Sequence, residues 1–158
     1  MFYLSAALIF ILDQLTKYVI VKNFLPNQSM PIIRNILHLT YVQNRGAAFG
    51  IFNSQRSFLL VVGVLLIGVL FYFHLRVKRI NFAQVPLGLV LGGAAGNILD
   101  RLVRHYVVDF IDFRVWPVFN IADIMINVGV FLIILMMFFK KEDISSPFVP
   151  LTKSEGGI

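Results

Sequence analysis

The chain has 158 residues, of which 58% are hydrophobic and only 14% charged, with 16 phenylalanines. That leaves too little polar surface to cover a soluble globule and points to a bilayer as the solvent. The formal net charge of +6 is spread over loops and span ends instead of forming one basic stripe, which suits lipid headgroups and argues against nucleic acid, and the absence of cysteine excludes disulfides, thiolate metal sites and a thiol nucleophile.

A helix needs about 20 residues to cross the hydrocarbon, and four apolar segments meet that length, at about 2–21, 57–75, 82–103 and 120–139. The first lacks a basic leader and an A-x-A-like cleavage site, so it reads as a retained span and not as a secretory signal. Asp13 and Lys17 lie one helical turn apart within it, where each offsets the other's desolvation, so an intramolecular clamp is the expected role. Ser5 is three turns from Lys17, which disfavours a Ser-Lys nucleophile.

After the first span comes a long polar connection punctuated by Pro26 and Pro31. Its stretch Ile36 to Val42 has the β-branched, aromatic and alternating content of a strand. This predicts a small β-rich cradle over about residues 26–56, outside the membrane and too small to be stable without resting on the spans. The second span, 57–75, carries no formal charge, and a short basic loop with Arg76, Lys78 and Arg79 follows it.

The third span has Pro86 where a helix's first turn tolerates it. Gly88, Gly92 and Gly96 recur every four residues, a pattern that lets another helix approach closely. The segment ends in GNILDR, where Asn97, Asp100 and Arg101 share a face as a structural polar cluster. Residues 106–113 are next, then a fourth span marked by Asn120, Asp123 and Asn127. The basic loop and Lys140-Lys141 orient both termini to the cytoplasm. The expected organisation is one integral membrane domain over 1–141 and a disordered cytoplasmic tail over 142–158.

Chemistry has few candidates. His38, His74 and His105 stand alone without metal-ligand spacing, and the glutamates fall in the tail, so no metal or cofactor is expected. Carboxylates remain. Two aspartates held together in a low-dielectric site share a proton, one acting as base on water and the other as acid toward a carbonyl oxygen. Asp123 is one candidate, and Asp109 and Asp112 compete for the other place. If 106–113 is extended these two point to opposite faces, and the choice between them is even on physical grounds. Asn120 and Asn127, three before and four after Asp123, fall beside it on a helix. The alternative is a proton-coupled carrier relaying charge through Asp13, Asp109 and Asp123. Against it, the acids lie toward one membrane side and the four spans show no inverted repeat.

The succession DQLTK at 13–17, NRGAAFG at 44–50, GGAAGNILDR at 92–101, VVDFID at 107–112 and FNIAD at 119–123 resembles lipoprotein signal peptidase, the bacterial signal peptidase II family. The resemblance implies a mainly α membrane protein with four transmembrane helices and an extracytoplasmic cradle between the first and second. It implies an aspartyl endopeptidase of the bacterial cytoplasmic membrane that removes the signal peptide of diacylglyceryl-modified prolipoproteins just before the lipidated cysteine. Its partners would be those signal peptides and membrane phospholipid, and the enzyme would be monomeric. By the same resemblance Asp109 and Asp123 form the catalytic pair and Asp112 stands aside. Asp13, Lys17, Asn44, Gly46, Asn97, Arg101, Asn120 and Ala122 fall on motif positions that support the site or contact substrate. Phe49, Phe52, Phe110, Phe113 and Trp116 are candidates to line an acyl or peptide groove. The interval from 109 to 123 is short relative to the family, so a covering loop there is expected to be trimmed.

Overall fold

A computed structural model describes residues 1–46, 55–76 and 82–138. Within them the chain forms α1 (Phe2–Asn23), β1 (Ser29–Ile33), β2 (Leu37–Asn44), α2 (Arg56–Arg76), α3 (Gln84–Val103), β3 (Val107–Asp112) and α4 (Ile121–Phe138). The helices match the four expected spans to within two residues wherever the chain is described.

α3 is the centre of the bundle and packs against each of the other three helices. Most of its length is buried, whereas α2 buries only Leu70 and α4 only Ala122 and Gly129. The outward faces of α1, α2 and α4 are apolar, with Leu8, Leu65 and Phe131 among the exposed side chains. Each of these three helices is long and apolar enough to cross a membrane. α3 has a different composition because its neighbours are protein and not lipid, so small and polar residues replace leucine on its faces.

The glycine spacing is explained by that packing. A methyl group on Gly92 would lie 2.5 Å from the carbonyl oxygen of Ala6, and one on Gly96 would fall on the Asp13 carboxylate. Gly88 meets Phe2 and Ser5 in the same way, so the line of three is the seam between α3 and α1. Gly93 sits beside the row and brings the backbone of Ala122 in α4 just as close.

The three strands form one antiparallel sheet in the order β1-β2-β3. Asn35, at φ 65°, makes the tight turn between β1 and β2 in a left-handed conformation that asparagine tolerates. The strand expected over Ile36 to Val42 runs from Leu37 to Asn44. The cradle, however, is not confined to the connection between the first two helices, because β3 comes from the chain between α3 and α4. The reason is energetic, since a lone two-stranded hairpin is marginal. β3 brings Val108 and Phe110 into a core with Ile20 and Tyr41. Phe110 is thereby a core residue and does not line a groove.

Replacing Gly92 with leucine should force α1 and α3 apart and lower stability by about 1–3 kcal/mol or more. Thermal unfolding in detergent would measure the loss, with Gly68→Leu, which has open space around its Cα, as the neutral control.

Candidate active site

β3 and the start of α4 bring two carboxylates to one cleft. Asp109 sits on β3 opposite Val42 of β2 and is 2% exposed. Its Oδ2 accepts a 2.8 Å hydrogen bond from Asn44 Nδ2, and its Oδ1 a 2.6 Å bond from Asn120 Nδ2. Asp123 is in the first turn of α4. The Asn120 side chain accepts the Asp123 backbone N–H at 3.0 Å, and Asp123 Oδ2 accepts the Asn120 backbone N–H at 3.2 Å. This is the reciprocal geometry of a capping box, and it places the Asp123 carboxylate where a helix N-terminus favours negative charge. Asn97 Nδ2 donates to Asp123 Oδ1 at 2.8 Å. Asn120 therefore touches both acids, and Asn97 reaches Asp123 from α3.

Beneath the cleft the Lys17 ammonium is fully buried and has three acceptors: Asp13 Oδ2 at 2.8 Å, Asp100 Oδ2 at 3.0 Å and Asn97 Oδ1 at 2.9 Å. Each of the two carboxylates also grips a backbone N–H. Asp13 Oδ1 accepts from Ala122 at 3.0 Å, and Asp100 Oδ2 from Val108 at 3.1 Å. These are the residues immediately before Asp123 and Asp109. One lysine thus anchors the backbone of both acids through two intermediary carboxylates. Arg104 pairs with the other oxygen of Asp100, so the cluster of two acids and two bases is neutral.

The acids of β3 differ in environment. Burial, and then the neighbouring Asp123 carboxylate, push the Asp109 carboxyl up to about 7, against the opposing hydrogen bonds from Asn44 and Asn120. Asp112 lies on the opposite face of the strand. Burial also pushes its carboxyl up, but hydrogen bonds from the Thr40 hydroxyl and from Arg114 outweigh that and hold it below the usual carboxylate range. Asp112 is thus a satisfied structural anion, while Asp109 holds its proton up to about pH 7.

The cleft has a volume of about 610 Å³. Asn44, Asn97, Arg101, Asp109, Trp116, Asp123 and Asn127 line it, with Pro117, Phe119, Ile124 and Val128 among its apolar walls. All the residues expected at the site fall in one connected set. Gly46 closes a turn by donating its N–H to Asn44 Oδ1 at 2.9 Å, and its carbonyl accepts from Arg101 at 3.3 Å. Asn97 and Arg101 face the cleft, whereas Asp100, which shares their stretch of α3, faces Lys17 and Arg104. Of the groove aromatics, Trp116 lines the cleft and Phe113 stacks on Phe119. Phe49 and Phe52 lie outside the described residues. The sequence reading missed Arg104, whose i, i+4 spacing from Asp100 was the available signal, and Phe119, whose pairing with Ile111 folds the segment after β3 back along the strand.

A helical bundle with apolar outer faces and a paired-carboxylate cleft under a small sheet is the architecture of a membrane-embedded enzyme. Two solved structures, both described as bacterial membrane enzymes determined by the in meso method, share the fold. One at 2.3 Å resolution has a TM-score of 0.81 and 35% identity and covers 90% of this chain and 93% of its own. The other, at 1.9 Å, has a TM-score of 0.77 and 35% identity, covering 87% and 92%. Proteins named lipoprotein signal peptidase are similar in sequence: that of Moorella thermoacetica is 46% identical over 84% of this chain and 89% of its own length, and that of Bacillus subtilis 43% over 87% and 92%. The family model for signal peptidase (SPase) II matches residues 5–139. The chain belongs to the signal peptidase II family, and it is a multi-pass membrane protease.

Lys17→Met should leave the buried Asp13 carboxylate without a cation and Asp100 with Arg104 alone, a change that costs about 3–5 kcal/mol in comparable sites. Unfolding in detergent should show that loss, and Asp13→Asn, which retains an acceptor for the Ala122 N–H, should lose less. A second expectation concerns pH. Asp109 binds a proton in the folded state up to about pH 7, but in the unfolded chain only up to about 4. Folding stability therefore falls as pH rises between these values. Asp109→Asn lacks this term, so its melting temperature relative to wild type should rise from pH 5 to pH 8.

Proposed function

We propose that the chain is an intramembrane aspartyl endopeptidase that removes the signal peptide from diacylglyceryl-modified prolipoproteins, cutting just before the lipidated cysteine. The observation that carries this reading is the shared cleft in which Asn120 hydrogen-bonds Asp109 and also caps the helix bearing Asp123. The two acids are differentiated by what surrounds them. Asp123 lies at a helix N-terminus with two N–H donors on its carboxylate and is the base. Asp109, protonated to about pH 7, is the acid.

In the proposed reaction Asp123 takes a proton from water as its oxygen attacks the scissile carbonyl carbon. Asp109 gives its proton to the carbonyl oxygen as that oxygen gains the electron pair of the π bond. Collapse of the tetrahedral intermediate breaks the C–N bond, the proton on Asp123 passes to the departing cysteine nitrogen, and the gem-diol proton returns to Asp109. Neither metal nor cofactor takes part. α3 is the fourth span, its about 30 Å length sufficient for the crossing. Both termini are cytoplasmic and the dyad lies near the extracytoplasmic face. The substrate's apolar helix and acyl chains bring it in laterally from the bilayer, while water comes from the extracytoplasmic side. The enzyme acts as a monomer.

The test is cleavage of a purified diacylglyceryl-modified prolipoprotein in detergent, with unlipidated substrate alongside. Wild type and Asp112→Asn should cut the lipidated form, and Asp109→Asn and Asp123→Asn should lose activity by at least a thousandfold while remaining folded. Retained activity in both of the last two variants would end the aspartyl reading. In wild type kcat/KM should fall as pH rises through about 7, where the Asp109 proton is lost.

A further inference from the structure

The cleft extends below the dyad along α4, where Asp123, Ile124, Asn127 and Val128 line it in succession. Asn127 is one turn beyond Asp123, about 6 Å further along the helix axis. It stands on an apolar helix long enough to cross a membrane, where an amide without a use is costly. Its hydrogen bond is local, from Nδ2 to the backbone carbonyl of Asp123 at 2.8 Å. That carbonyl belongs to the helix's own hydrogen-bond ladder, so the contact is dispensable.

The other cleft carboxamides are committed at both ends. Asn44 donates to Asp109 and accepts from Gly46. Asn97 donates to Asp123 and accepts from Lys17 and Asn120. Among the described residues Asn127 is the cleft amide whose Oδ1 accepts no bond, and its Nδ2 has a second N–H to give.

A membrane peptidase creates a need for such a group. To expose the scissile carbonyl, the substrate has to be unwound around the cut, and each backbone N–H and C=O freed at membrane depth must find a partner in the protein. The substrate's apolar segment precedes the scissile bond, so the residues just before the cut descend into the lower cleft. We propose that Asn127 is a substrate-binding residue: its carboxamide accepts the N–H and donates to the C=O of the unwound substrate backbone one to three residues before the scissile bond. This rests on the peptidase reading above. It implies recognition of the main chain and not of any side chain, so the contact serves substrates of differing sequence equally.

The experiment uses full-length enzyme and synthetic diacylglyceryl-modified peptides in which an ester replaces the amide N–H at each of the three positions before the scissile bond in turn. For wild type, one ester position should lower kcat/KM about tenfold. Asn127→Leu should lower kcat/KM about tenfold on all-amide peptides whatever their side chains, keep the wild-type pH profile, and lose nothing further on the sensitive ester. Asn127→Ala is the second variant, should leucine disturb the helix. The proposal is overturned if either variant cleaves as wild type does, or if the ester penalty is the same in wild type and variant. The peptidase reading fails separately, through retained activity of Asp109→Asn and Asp123→Asn on the all-amide peptide.

Discussion

The Lys17 ammonium is the constraint on which the site depends. Taking one cation out of solvent is expensive, and here it is matched by two carboxylates and an amide oxygen on two different helices. Because Asp13 and Asp100 are held by the same Nζ, and each grips the backbone N–H next to Asp123 or Asp109, one buried cluster helps to set the separation of those two acids. The pairing of Phe119 with Ile111 and the Asn120–Asp109 bond tie the start of α4 to β3 as well. Gly96 belongs to the same constraint, since any side chain there would displace the Asp13 carboxylate.

The two acids differ in character because their secondary structures differ. A strand offers Asp109 no dipole and surrounds it with Val107, Val108 and Phe110, so desolvation dominates. A helix N-terminus offers Asp123 free N–H groups and a partial positive charge. Asn120 couples them, reading one carboxylate with its side-chain amide and positioning the other through the helix cap. The Asp123 carboxylate adds its field to the burial that raises the Asp109 carboxyl to about 7.

Much of this was legible in the residues. Apolar runs near 20 residues located the helices, and the four-residue glycine period identified the α3 face that meets α1. The i, i+4 spacing of Asp13 and Lys17 anticipated their pair. Alternation along an extended 107–112 correctly implied that Asp109 and Asp112 part company, but left open which one meets Asp123, because that depends on which face of β3 packs on the bundle. Likewise the spacing of Asn97, Asp100 and Arg101 gave a shared stretch of helix without showing that Asp100 turns inward to Lys17 while its neighbours turn to the cleft. Such choices are set by contacts between elements distant in sequence, and periodicity carries no record of them. The third strand was missed as part of the cradle for the same reason, since pairing such as Asn44 with Val107 joins strands far apart in sequence and has no local signature.

Hydrolysis in this setting requires opposite conditions within a short distance. In the proposed mechanism the dyad needs low dielectric to hold a proton on one acid, yet the reaction would consume water and an unwound substrate backbone would need polar partners. Beneath the cleft the structure keeps the charged groups paired with one another. Lys17, Asp13, Asp100 and Asn120 are fully buried and saturated with partners. Saturated groups neither recruit water nor bind substrate, so they sharpen the field without opening the bundle. On the proposed reading, the cleft amide Asn127, whose Oδ1 accepts no bond, is left to a substrate that supplies its partner while the dyad acts on the scissile bond.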